Sequence, residues 1–129
     1  MKKVFVPEEF RHYYDDWHFS PAVETGELIF FAGVTAARKD KIISEDPEEQ
    51  FHDLFHKLNI YLKSAGVGFE HIVEMTSYHI DVKQQFQLFS EVKDHYIKAP
   101  YPAWTAIGVS DFIPENALVE VRVIATRDI

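Results

Sequence analysis

The stretch Tyr101–Ala125, YPAWTAIGVSDFIPENALVEVRVIA, constrains this chain more than any other. It reads as strand, loop, strand: both ends are rich in the β-branched and aromatic residues that fit a pleated surface, and SDFIPEN between them carries the turn formers. Side chains alternate faces along a strand, so Ala117, Val119, Val121, Val123 and Ala125 line one side, plainly a core side. Leu118, Glu120, Arg122 and Ile124 line the other. A carboxylate and a guanidinium among apolar neighbours are tolerable if they pair with each other or face a partly wet cavity. On the first strand Trp104 shares a face with Ala106; the register that would decide whether this face meets Glu120 is not written in the sequence. Trp104 and Glu120 are the first candidates for a pocket.

The rest of the chain frames this unit. Lys3–Val6 reads as a short strand ended by Pro7. Phe10, Tyr13, Tyr14, Trp17 and Phe19 then crowd together with His12 and His18 without clean periodicity. Such rings usually serve burial, against the sheet or a neighbouring subunit; the sharper alternative is that Trp17 and Phe19 wall a ligand pocket. Residues 22–34 read as two strands joined at Thr25-Gly26, and Leu28-Ile29-Phe30-Phe31 is apolar on both faces. That implies helices on one face and another subunit on the other. A charged loop spans 36–45.

Asp46-Pro47-Glu48-Glu49 is a helix start: Asp can cap, Pro suits the first helical position, and Glu49 can bond back to the cap. Phe51, Leu54, Phe55, Leu58, Leu62 and Ala65 follow at helical spacing, and Gly66 supplies the stop. His52 and His56 stand four apart on this helix with Asp53 between them, a spacing that zinc sites use. No third ligand is evident, and both flank the apolar stripe as boundary residues do. No metal site is expected. Residues 71–81 read as a further strand holding His79, an ordinary satisfied strand histidine or, as the less favoured alternative, a pocket residue, and residues 84–97 as a second helix ended by Pro100.

The order strand, strand, strand, helix, strand, helix, strand, strand predicts an α+β fold, a mixed sheet with two helices on one face. The opposite face would be bare in a monomer, so oligomerisation is the physical expectation. At 129 residues and 47% hydrophobic content, residues 1–129 make a single domain with a real core. With no cysteine, disulfides and thiolate chemistry are excluded, which suits a reducing compartment. The start of the chain offers no apolar run long enough for a signal peptide, and no run approaches a membrane span. The expected setting is soluble and cytoplasmic. A formal net charge of −8, with basic residues scattered among acidic ones, speaks against a nucleic-acid surface and for a small-molecule ligand.

The pattern Pro-Ala-x-Thr-x-Ile at 102–107, followed by Val-Glu-Val-x-x-Ile-Ala at 119–125, resembles the carboxy-terminal signature of the reactive intermediate deaminase (RidA/YjgF) family. The resemblance extends back through Phe19-Ser20-Pro21-Ala22-Val23, Gly26–Phe30 and Ala32-Gly33, and the TSYH stretch with Pro-Ala-Trp-Thr-Ala-Ile-Gly-Val is similar to the YjgH-type branch. It implies a chorismate-mutase-like homotrimer with ligand clefts between subunits. It also implies a reaction in which an Arg grips a substrate carboxylate while water attacks an imine or enamine carbon and ammonia leaves.

This chain departs from that pattern. Trp104 stands where the family keeps the Arg, and one neutral indole donor cannot replace two charge-assisted bonds. Phe19 replaces a Tyr, Ala32 a Ser, and Gln87 an Asn; only Glu120 keeps the family identity. Two classes of function follow. One is a hydrolase, without cofactor or metal, for an imine, enamine or enol lacking the gripped carboxylate. In it Glu120 handles protons, and Trp104, Phe19 and Trp17 hold an apolar group. The other is a non-catalytic binding or regulatory trimer. Arg122 enters either as a structural partner of Glu120 or as a substitute anion anchor.

Overall fold

The computed structural model describes residues 1–129. The strands are β1 (Lys3–Phe5), β2 (Ala22–Thr25), β3 (Leu28–Phe31), β4 (Ile72–His79), β5 (Ala103–Gly108) and β6 (Val119–Thr126); the helices are α1 (Arg11–Asp15), α2 (Pro47–Ser64) and α3 (Val82–Lys93). One six-stranded sheet runs in the order β1-β2-β3-β6-β4-β5, with β4 and β5 parallel and the other pairs antiparallel. The parallel pair is what α3 makes necessary, since parallel neighbours need a crossover.

Local signals explain most boundaries. At the β2–β3 hairpin Gly26 adopts φ 58°, the left-handed region that a two-residue turn demands. Asp46 caps α2, its side chain accepting from the Glu49 N–H at 3.1 Å, and Gly66 at φ 77° ends the helix region. Glu49 does not bond back to the cap as expected. Its carboxylate instead accepts from Arg38 Nη2 at 2.7 Å, while Arg38 Nε donates to Asp53 at 2.9 Å. The charged loop is thereby pinned to α2. α3 is displaced toward the amino terminus from the expected 84–97: it starts at Val82 and ends at Lys93, whose carbonyl accepts from the Tyr96 and Ile97 N–H groups in the turns that follow.

Both long helices cover one sheet face. Phe51, Leu54, Phe55, Leu58 and Leu62 from α2 and Phe89 from α3 are buried with Ile29, Met75, Val119, Val121 and Val123. The opposite face is open: Leu28, Phe30 and Ile107 are each about two-fifths exposed, and Phe30 pairs with Val23 on one side and Ile124 on the other. The α+β mixed sheet with both helices on one face is the expected architecture. His52 and His56 are occupied as boundary residues: His52 Nδ1 meets Tyr96 Oη at 2.6 Å and His56 Nε2 meets the same hydroxyl at 3.2 Å. No group of His, Asp and Glu in the chain has the makings of a metal site. No helix is long and apolar enough to cross a membrane.

Candidate functional site

Where β6 begins, a cleft of about 1110 Å³ opens between the aromatic amino-terminal segment, the residues after β3, the loop before β6 and the flank of α2. Its walls include Trp17, Phe19, Ala32, Gly33, Lys57 and Glu120. The crowd of rings that lacked periodicity divides its labour. Phe10 is buried against Tyr61, with ring centroids 5.9 Å apart, while Tyr13 stacks on Phe19 at 5.1 Å and meets Trp17 edge-on at 6.2 Å. Trp17 remains 52% exposed, an apolar plate at the cleft mouth.

Glu120 is half-buried against Gly33. A Cβ at Gly33 would overlap its carboxylate, 2.8 Å from Cδ, so the absent side chain is what lets the acid fold into the wall. Burial raises the Glu120 carboxyl above its ordinary value, and Lys57 in the same cleft draws it partly back. Gly33→Ala is expected to leave the melting temperature almost unchanged, because only the end of a flexible side chain must move. Ligand-dependent turnover should nevertheless fall by about 10²-fold, the usual effect of misplacing a reacting group by roughly 1 Å.

Lys57 shares the cleft with Glu120 and Arg122 does not, though Lys57 forms no ion pair with the carboxylate either. Arg122 is exposed and forms no ion pair with Glu120 although the two share a strand face. Lys57 is only 5% exposed. Its Nζ donates to Tyr13 Oη at 2.8 Å and to the Ala37 carbonyl at 2.9 Å, and lies 4.7 Å from the Phe10 ring centroid and 4.9 Å from that of Tyr13. Burial lowers its pKa to about 8 against the opposing pull of Glu120. Sequence reading passed over it. The available signal was spacing: Lys57 stands three after Leu54 and four before Tyr61, inside the apolar arc of α2.

Gln50 was missed likewise. Fully buried, it donates to the Ser44 and Asn116 carbonyls and accepts from the Leu118 N–H at 2.7 Å, tying two cleft loops to α2.

Trp104 and Gln87 lie elsewhere in the chain. Trp104 is in register with Met75, and Met75 with Val123, which places the indole on the helix-covered face, opposite in parity to Glu120. There it stacks on Phe86 at 5.2 Å and 4°, and donates to Ser77 Oγ at 2.9 Å. Lys93 Nζ lies 4.7 Å from its ring centroid. Ser77 Oγ also meets Nε2 of His79 at 2.7 Å. His79 is fully buried, and burial lowers its pKa; Nδ1 has no partner in hydrogen-bonding geometry, although nearby Gln85 slightly favours the protonated ring. It lies in the core and not in the cleft, but with one ring nitrogen unpartnered it is not the fully satisfied histidine expected. Gln87 is exposed on α3 beside Glu91.

Ala32, Phe19, Trp17 and Glu120 thus share one cleft, while Trp104 and Gln87 sit toward the β5 edge of the sheet. The sequence model of the Endoribonuclease L-PSP family matches residues 15–127. The chain belongs to the RidA/YjgF family. It is 36% identical over 98 residues to the RutC family protein YjgH of Escherichia coli (strain K12), covering 75% of each chain. It is 31% identical over 113 residues to a RutC family protein of Aquifex aeolicus, covering 84% of this chain and 88% of that one. The solved structure of protein YjgH superposes with a TM-score of 0.87 at 31% identity, over 97% of this chain and 95% of that one. Among RidA/YjgF folds, then, this one holds a carboxylate and a buried lysine in the cleft and an indole outside it.

Proposed function

We infer that the protein hydrolyses a small imine, enamine or enol that lacks a gripped carboxylate, in a cleft completed between the subunits of a homotrimer. The observation that carries this reading is Glu120, a carboxylate desolvated within an aromatic-walled cleft large enough for a small metabolite. A carboxyl with a raised pKa, held among apolar surfaces, is suited to take a proton from water and return it to a leaving amine. Trp17 and Phe19 supply flat apolar walls. The exposed apolar face around Phe30 supports assembly, and a neighbouring copy seated there can bring its β5 edge, with Trp104 and Gln87, toward the Glu120 cleft.

The assay is ammonia release from freshly generated neutral imines, set beside imines bearing an α-carboxylate. Preference for the neutral series, with KM raised by Trp17→Ala, supports the reading; equal or reversed preference sinks it. The second reading, a binding or regulatory trimer, is favoured by Trp104 being committed to Ser77 and Phe86, with no guanidinium among the cleft's lining residues. Saturable ligand uptake without turnover would select it.

Assembly has its own test. Phe30→Lys places an ammonium in the middle of the open apolar face, so native mass spectrometry is expected to show trimer for the natural chain and monomer for the variant. A monomeric natural chain would remove the shared cleft.

A further inference from the structure

Lys57 has no role in the reading above, and its surroundings are unusual for a lysine. It is almost wholly buried in the middle of α2, yet it lines the cleft. Two of the three ammonium donors are used, by Tyr13 Oη and the Ala37 carbonyl, and Glu120 is the only acid that acts on it. After loss of a proton, the two remaining N–H donors can keep the contacts to Tyr13 Oη and the Ala37 carbonyl, which leaves the lone pair uncommitted. A desolvated lysine that shares a cleft with a carboxylate is the usual equipment of an amine nucleophile.

We propose that Lys57 attacks the imine carbon itself, so that deamination proceeds through a covalent iminium on this chain and not by direct addition of water. The proposal rests on the cleft being an imine site. In the first step the neutral Lys57 amine adds to the carbon of the protonated imine, forming a C–N bond and giving a tetrahedral diamine. Proton transfer between the two nitrogens, by way of Glu120, expels ammonia and leaves the carbon doubly bonded to Nζ of Lys57 as a protonated iminium. In the second step Glu120 takes a proton from water as oxygen bonds to the same carbon. The carbon–Nζ bond then breaks, releasing the substrate as an aldehyde or ketone and restoring the lysine amine, with the proton shared back through Glu120. No oxidant or reductant is consumed. Burial, which enlarges the free-amine fraction near neutral pH, is consistent with this use.

The reverse of the second step makes the intermediate accessible from a carbonyl compound. The full-length protein would be mixed with benzaldehyde, reduced with sodium borohydride, weighed intact and mapped by peptide mass spectrometry. The expected result is one benzyl group per chain, on Lys57, forming faster than on exposed lysines, absent in Lys57→Arg and slowed at least tenfold in Glu120→Gln. Label confined to exposed residues such as Lys2, Lys39 and Lys83, with none on Lys57, overturns the proposal. Quenching of Trp17 fluorescence by benzaldehyde, referenced to Trp17→Phe, is read in parallel. Quenching without Lys57 label removes the covalent route and leaves the cleft standing; neither signal removes both.

Discussion

Glu120→Gln is expected to lower ammonia release from a neutral imine by about 10²–10⁴-fold, the range spanned by a single general acid or base. The substitution keeps the shape that fills the space beside Gly33 and removes only the ionisable oxygen. For the natural chain the rate should rise with pH as the carboxyl ionises, with a midpoint above the ordinary carboxylate value, since burial raises this pKa more than Lys57 lowers it. That acid limb should vanish in the variant. Stability should move the other way. A carboxyl whose folded pKa is raised contributes stability below its unfolded pKa, and this is lost as pH rises through the folded value. The glutamine variant should therefore gain on the natural chain in melting temperature as pH rises above the ordinary carboxylate value. Unchanged turnover with that gain in melting temperature would show a strained structural acid and no catalyst.

The elements of this fold could be read because their signals are local. Asp46-Pro47 and the stripe from Phe51 to Leu62 define α2 without reference to anything distant, and Gly26 defines the hairpin. Which side chains meet depends on long-range register, and here local signals stop. Trp104 and Glu120 were joined as pocket candidates because both occur in one stretch. The crossover through α3 sets Trp104 beside Met75, and the antiparallel ladder sets Glu120 beside Tyr78, on the other face. Parity within each strand was legible; parity between strands was not. Spacing along one strand likewise suggests Arg122 as the partner of Glu120, yet the cation that shares its cleft comes from α2, across 63 positions of sequence. A lysine in an apolar arc is the kind of local conflict that functional sites create, and it could have been singled out on that ground.

The same lysine gives the largest expected stability effect. Its folded pKa lies near 8 against an ordinary value of 10.5, and desolvation is the main cause. Between those two values the unfolded chain still holds the proton while the folded chain has released it, so folding is favoured progressively as pH rises through the window. At ~1.4 kcal/mol for each pH unit, the full effect is about 3 kcal/mol. Lys57→Met, which cannot titrate, supplies the reference. Denaturant unfolding of both proteins from about pH 7 to pH 10.5 should show the natural chain gaining on the variant by about that amount, against the general loss of stability that both undergo in alkali. Glu120 limits the gain, because its charge opposes release of the lysine proton, while Tyr13, whose own pKa burial raises, supports Nζ through its hydrogen bond. Adding Glu120→Gln should therefore shift the window downward, since the charge that holds the proton on Lys57 is gone. A gap between natural chain and Lys57→Met that stays constant with pH would mean that the amine keeps its ordinary pKa when folded. An amine so fully protonated at neutral pH would be an electrostatic anchor for an anion and no nucleophile.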